Sequence, residues 1–124
     1  MRIIIILFFT FFQVVNAQQT EESKLISSGK WYIDYFEVAG QKMASSADSK
    51  ESNWVLYYES GDYEAMEEGQ DHFGNWQYDS TTKIITIDDM DGQTEQKVVS
   101  VTDKILIISV DDDGMELIIG MKKE

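Results

Sequence analysis

An all-β domain, folded as an eight-stranded antiparallel up-and-down β-barrel, is the architecture this chain predicts. Three observations carry it. Short runs with period-two alternation recur along the sequence, turn residues separate nearly all of them, and no long helical periodicity competes. Sequential strands joined by tight turns form a meander. Closing a meander of eight removes the exposed edges that a β-rich chain must otherwise protect. A two-sheet sandwich has a similar strand count but needs longer crossovers than this sequence offers.

The first 17 residues read as a signal peptide rather than as fold. Met1-Arg2 is a positive start, Ile3 to Phe12 is apolar apart from Thr10, and Val15-Asn16-Ala17 suits a cleavage site. The apolar run is shorter than the roughly 20 residues of a membrane helix, so cleavage after Ala17 is preferred to an uncleaved anchor. The organisation expected is a signal peptide at 1–17, a polar lead-in at 18–28 and one barrel domain at 29–124, periplasmic or secreted. No membrane span remains after cleavage.

Composition narrows the partners. Asp and Glu number 23 against 10 Lys and Arg, and the net charge is −13. An acidic chain without a basic patch argues against nucleic acid and anionic membranes, and suits a cationic ligand or a basic protein partner. With no Cys, a small exported domain has no disulfides and relies on packing. With no Pro, its turns fall to Gly, Asn and Asp.

The lead-in is polar and expected to fray, with room for one helical turn over 21–26 that would cap a barrel end. The first strand, 30–38, puts Trp31, Ile33 and Tyr35 on one face and Tyr32, Asp34 and Phe36 on the other. Residues 39–41 turn, and 42–52, rich in Ser, Ala and charge, read as the longest loop. The second strand, 53–59, sets Trp54, Leu56 and Tyr58 opposite Val55 and Tyr57. Ser60-Gly61-Asp62 is a hairpin turn, 63–66 the third strand, 67–70 a turn, and 72–78 the fourth. Asp79-Ser80-Thr81 leads to a fifth strand at 83–88, and Asp89-Met90-Asp91-Gly92 to a sixth at 96–102. Asp103-Lys104 precedes a seventh at 105–110, and Asp111-Asp112-Asp113-Gly114 an eighth at 115–121.

Gly29-Lys30-Trp31 at the head of the first strand has a structural meaning. The Gly lets the backbone turn in close, and the Trp plugs a barrel end with a large ring. With Lys24-Leu25-Ile26 before it, the aromatic strand from Trp54 to Gly61, and Gly74-Asn75-Trp76-Gln77-Tyr78-Asp79 leading into Ile84-Ile85-Thr86-Ile87, the chain resembles the lipocalin-like proteins. The likeness is to the small secreted lipocalin-like domains of Bacteroidetes. It implies a barrel that captures a small molecule. Larger lipocalins pack an Arg near the last strand on the first-strand Trp. Here no Arg follows Arg2, so Lys122 or Lys123 would stand in.

Tyr35, Trp54, Leu56, Tyr58, Tyr63 and Trp76 are the candidate ligand-lining residues, because amphipathic aromatics suit an apolar cavity with polar tips. Plain core is the competing reading for each. The Asp-rich stretches around Asp89 and Asp111 lack the spacing of a calcium loop and read as turn chemistry, so no metal or cofactor is assigned. His72 is the only His, with Glu64, Glu67, Glu68 and Asp71 near it in sequence. Acid–base chemistry there is the weakest reading, and a non-catalytic protein that captures a small apolar or amphipathic ligand is the leading one. The alternative is a solid barrel whose acidic rim meets a protein.

Overall fold

The structure, a computed structural model, describes residues 20–26, 29–45 and 47–123, and the leader read at 1–17 lies outside them. A short helix, α1 (Glu21–Ile26), is followed by β1 (Trp31–Val38), β2 (Gln41–Ala44), a 3-10 helix (Ala47–Ser52) and β3 (Asn53–Tyr57). Then come β4 (Asp62–Glu67), β5 (Gln70–Asp79), β6 (Ile84–Asp89), β7 (Gly92–Val101), β8 (Ile105–Asp112) and β9 (Met115–Lys122). Every pairing is antiparallel, each strand from β3 to β8 pairs with the next, and β1 pairs with both β3 and β9. Eight strands, β1 and β3–β9, thus close the predicted barrel. Among the described residues, no helix is long and apolar enough to cross a membrane.

The strand count differs from expectation in one place. The stretch 42–52, read as a loop, contains all of β2 but Gln41, and the 3-10 helix. β2 forms a hairpin on the distal half of β1 through Ala39 and Gly40, both with positive φ (51° and 80°), which gives a tight turn the twist its strands need. All four of its residues are exposed, so no apolar alternation announced it.

The barrel core collects Trp31, Tyr57, Tyr63, Trp76, Ile85, Ile87, Leu106, Ile108 and Met121, with Leu25 added from α1. The aromatic rings meet directly. Tyr57 stands 5.7 Å from Tyr63 and 5.2 Å from Trp76 between ring centroids, both at tilted angles. Side chains therefore fill this part of the barrel.

The alternation read in the sequence breaks in β1, and in β3 it holds but with the candidate face turned outward. The β1–β9 register shifts between Ile33 and Tyr35, a bulge at Asp34. Past it Phe36 lies opposite Ile119, which packs on the core, whereas Tyr35 lies opposite Gly120 on the outside. A Cβ on Gly120 would fall 2.1 Å from the Tyr35 ring, so only Gly lets that ring lie flat on the strand. In β3 it is Val55 and Tyr57 that face inward.

One end is closed by α1 and Trp31. Trp31 is 0% exposed, its indole N–H donates to the Leu25 carbonyl at 3.1 Å, and Gly29 before it takes a φ of 122° that other residues rarely adopt. The ammonium of Lys123 lies 4.5 Å from the Trp31 ring centroid, the place expected for Lys122 or Lys123. Lys122 instead pairs with Asp34 at 3.4 Å. The helical turn expected over 21–26 is therefore present and docked as a cap.

Glu21 holds α1 against the β5–β6 turn, accepting a hydrogen bond from Tyr78 Oη at 2.8 Å and pairing with Lys83. Those contacts, Lys83 first, lower the carboxyl pKa below the ordinary 4.5. A depressed carboxyl stabilises docking above its unfolded value and loses that contribution as pH falls through the folded one. The expected result is that α1 stays docked above the ordinary carboxyl range and loosens as pH falls below it, seen as a red shift of tryptophan emission that a Trp31→Phe variant lacks. Glu21→Gln should flatten that dependence. An unchanged acid profile in the variant would contradict this role for the carboxylate.

Candidate functional site

The other end is built differently. It lies beyond the turns at Ala39–Gly40, Glu68–Gly69, Met90–Asp91 and Asp113–Gly114. Residues paired across an antiparallel ladder share a face, which identifies the inward side chains there. Val110 packs on the core and is opposite Leu117, which is opposite Val38 in turn, and Phe36 is opposite Ile119. All five are inward yet only half-buried. Across the barrel, His72 is opposite core Ala65, and Thr94 is opposite core Ile87. Asp89, two positions beyond Ile87 along β6, shares its face. His72 and Asp89 are half-buried and Thr94 is exposed. Inward side chains that solvent reaches mark an open cup.

Its floor is the aromatic cluster. The Tyr57 hydroxyl donates to Gln96 Oε1 at 3.1 Å, and desolvation holds the Tyr57 pKa well above its usual value. Tyr63 is raised too, first by burial and then by the charges of Glu67 and Asp89, so the carboxylates at the rim act on the floor. The cup therefore has an apolar wall on β1, β8 and β9, a polar wall on β5–β7, and a tyrosine floor.

Charge is distributed along the barrel axis. Glu67, Asp89 and Asp112 end their strands at the open end, with Glu68, Asp91 and Asp113 in the turns. Lys83, Lys104, Lys122 and Lys123 lie at the closed end. Lys42, on β2 near the open end, sits 4.1 Å from the centroid of the Tyr35 ring. The open end is thus a negative mouth that attracts cations.

Of the six candidate lining residues, Tyr63 and Trp76 are in the core. Trp76 donates its indole N–H to the Tyr58 carbonyl at 2.7 Å. Tyr35, Trp54 and Leu56 are on the outside. Trp54 is buried there because the Lys30 ammonium covers its ring at 4.2 Å and the Glu51 carbonyl accepts its N–H at 3.2 Å. Tyr58, 40% exposed, follows β3 and donates to Glu64 at 2.9 Å. It shares an outer cleft of about 290 Å³ with Tyr63 and Phe73. A larger outer cleft, about 600 Å³, crosses β5–β7 and is lined mostly by polar side chains such as Gln77, Thr86 and Glu95.

The wall residues Phe36, Val38, Val110, Leu117 and Ile119 were not singled out from sequence. They alternate like any strand core, and only the barrel's open end distinguishes them. The structure does bring His72 together with Glu67, one of the carboxylates near it in sequence. It adds Asp89 and Asp91 from the next hairpin.

No protein-family model matches the chain, and no curated protein does. Among solved structures, the barrel is similar to a lipocalin-like protein from Bacteroides uniformis ATCC 8492, with a TM-score of 0.56 at 18% identity over 78% of this chain and 97% of that one. At that identity the likeness shows the fold alone. The fold is that of a lipocalin-like barrel.

Proposed function

We propose that the protein is a non-catalytic binding protein, exported from the cell by its leader, that captures a small amphipathic molecule in the open cup. The observation that carries this reading is the wall of half-buried apolar side chains, Phe36, Val38, Val110, Leu117 and Ile119, facing into a barrel closed at its other end. Covering that wall with an apolar body removes it from water, at about 25 cal/mol per Å². Polar groups of His72, Thr94 and the tyrosine floor orient the ligand. The acidic rim favours a neutral or cationic head group over a carboxylate.

A neutral fluorescent probe, N-phenyl-1-naphthylamine, tests this. Saturable binding is expected, competed better by a short-chain alkyl ammonium than by a carboxylate of equal length. Leu117→Lys, at a half-exposed site, should weaken the probe by tenfold or more without unfolding the barrel. A flat titration on folded protein would sink the reading. The acidic mouth would then favour the second one, a solid barrel that binds a basic protein, whose affinity falls steeply with salt.

A further inference from the structure

We propose that His72, Asp89 and Asp91 form a binding site for a divalent transition-metal ion of the zinc class at the rim of the open end. One donor atom from each lies within 4.8 Å of the other two. The inference goes beyond capture of an organic molecule, with which it shares only His72.

Three pieces of structure assemble the site. Asp89 ends β6 opposite Gly74 of β5, and His72 lies two positions before Gly74 on the same face. Asp91 belongs to the β6–β7 turn, where its backbone N–H donates to Asp89 Oδ1 at 2.9 Å. That bond fixes the Asp89 carboxylate and leaves its second oxygen for an ion. His72 Nδ1 faces Asp91 Oδ2 at 3.8 Å. The gap is too long for a hydrogen bond. Donors bound to one ion at about 2.1 Å are separated by roughly 3 to 3.5 Å, so the three must draw together on binding, and Asp91, 80% exposed, is the freest of them to move.

The other ring nitrogen supports the same assignment. His72 Nε2 faces Glu67 Oε2 at 3.8 Å, with the imidazole 27% exposed between the two carboxylates. A metal-binding imidazole usually turns its far N–H to a carboxylate, which fixes the tautomer and raises its basicity. Glu67 lies on that side of the ring, outside the three-residue donor set, and at 3.8 Å it too must approach before it can accept the N–H. The mouth adds a negative field that the lysines of the closed end do not cancel, which raises the local cation concentration.

Donor chemistry selects the metal class. One imidazole with two carboxylates suits zinc and its neighbours, whereas calcium prefers six to eight oxygens and magnesium keeps a shell of water. Three protein ligands leave one position for water or for a donor atom of a molecule in the cup.

The chain has a single His, so its imidazole resonances report on this site alone. Purified protein titrated with Zn²⁺ should show one saturable transition in the imidazole ¹⁵N spectrum. Nδ1 should carry the ligation shift and Nε2 should keep its proton. Asp91→Ala, an exposed change (80%) that leaves the fold intact, should weaken Zn²⁺ by tenfold or more. Glu67→Gln should weaken it by a few-fold. Ca²⁺ and Mg²⁺ at equal concentration should leave the imidazole unmoved. An imidazole that ignores Zn²⁺, ligation through Nε2, or an Asp91→Ala variant that binds like the parent would each overturn the site.

Discussion

Trp31→Ala is expected to cost about 3–5 kcal/mol, the range for truncating a buried aromatic side chain. Its ring is fully buried and sits under the ammonium of Lys123, and its N–H satisfies the Leu25 carbonyl. Truncation leaves a cavity at the closed end and strips α1 of an anchor, so cap and barrel weaken together. A domain of this size has only about 5–15 kcal/mol to lose. Chemical denaturation should therefore show a much lower midpoint, and melting should fall by roughly 15 °C or more. Trp31→Phe keeps most of the apolar volume but loses the donor, and should cost about 1–2 kcal/mol. A loss below 1 kcal/mol for the Ala variant would mean that Trp31 does not seal the barrel.

Raising the pH is expected to unfold the barrel well before it ionises the floor. Burial raises the pKa of both Tyr57 and Tyr63, whereas unfolded tyrosine titrates near 10. A raised acid contributes stability that is fully present below its unfolded value. That stability is lost as pH climbs from there toward the folded value, because the unfolded chain sheds the proton first. Each unit of separation is worth about 1.4 kcal/mol. Stability should hold to pH 9, then decline steadily above pH 10, and absorbance at 295 nm should show at least the two floor tyrosines ionising only with unfolding, with Tyr78, pushed up to about 12, titrating late as well. Tyr57→Phe should remove part of that slope, at the cost of the hydrogen bond to Gln96. Free titration of every tyrosine in folded protein would contradict a closed floor.

The barrel was legible in the sequence because period-two runs and turn residues are local signals. β2 was not, since four exposed residues carry no alternation. The lead-in offered only Leu25 and Ile26 as apolar residues. What docks it is a set of distant partners, Trp31, Tyr78 and Lys83. The candidate site was partly legible. β3 is apolar on both faces, so alternation could not say whether Trp54 and Leu56 or Val55 and Tyr57 point inward. Lys30 and the 3-10 helix cover Trp54 from outside, and that settles it. Tyr35 turned outward because of a bulge at Asp34, which alternation does not reveal. His72 gained Asp89 and Asp91 as neighbours through the β5–β6 ladder, a non-local pairing.

Ligand capture depends on a filled lower barrel beneath an open, amphipathic cup. The most direct measurement is a set of intermolecular NOEs between bound N-phenyl-1-naphthylamine and methyl-labelled protein. Contacts are predicted to the methyls of Val38, Val110, Leu117 and Ile119, and none to Leu25, Ile85, Leu106 or Met121. Contacts to that lower set, or to methyls on the outer face alone, would contradict the cup as the binding site.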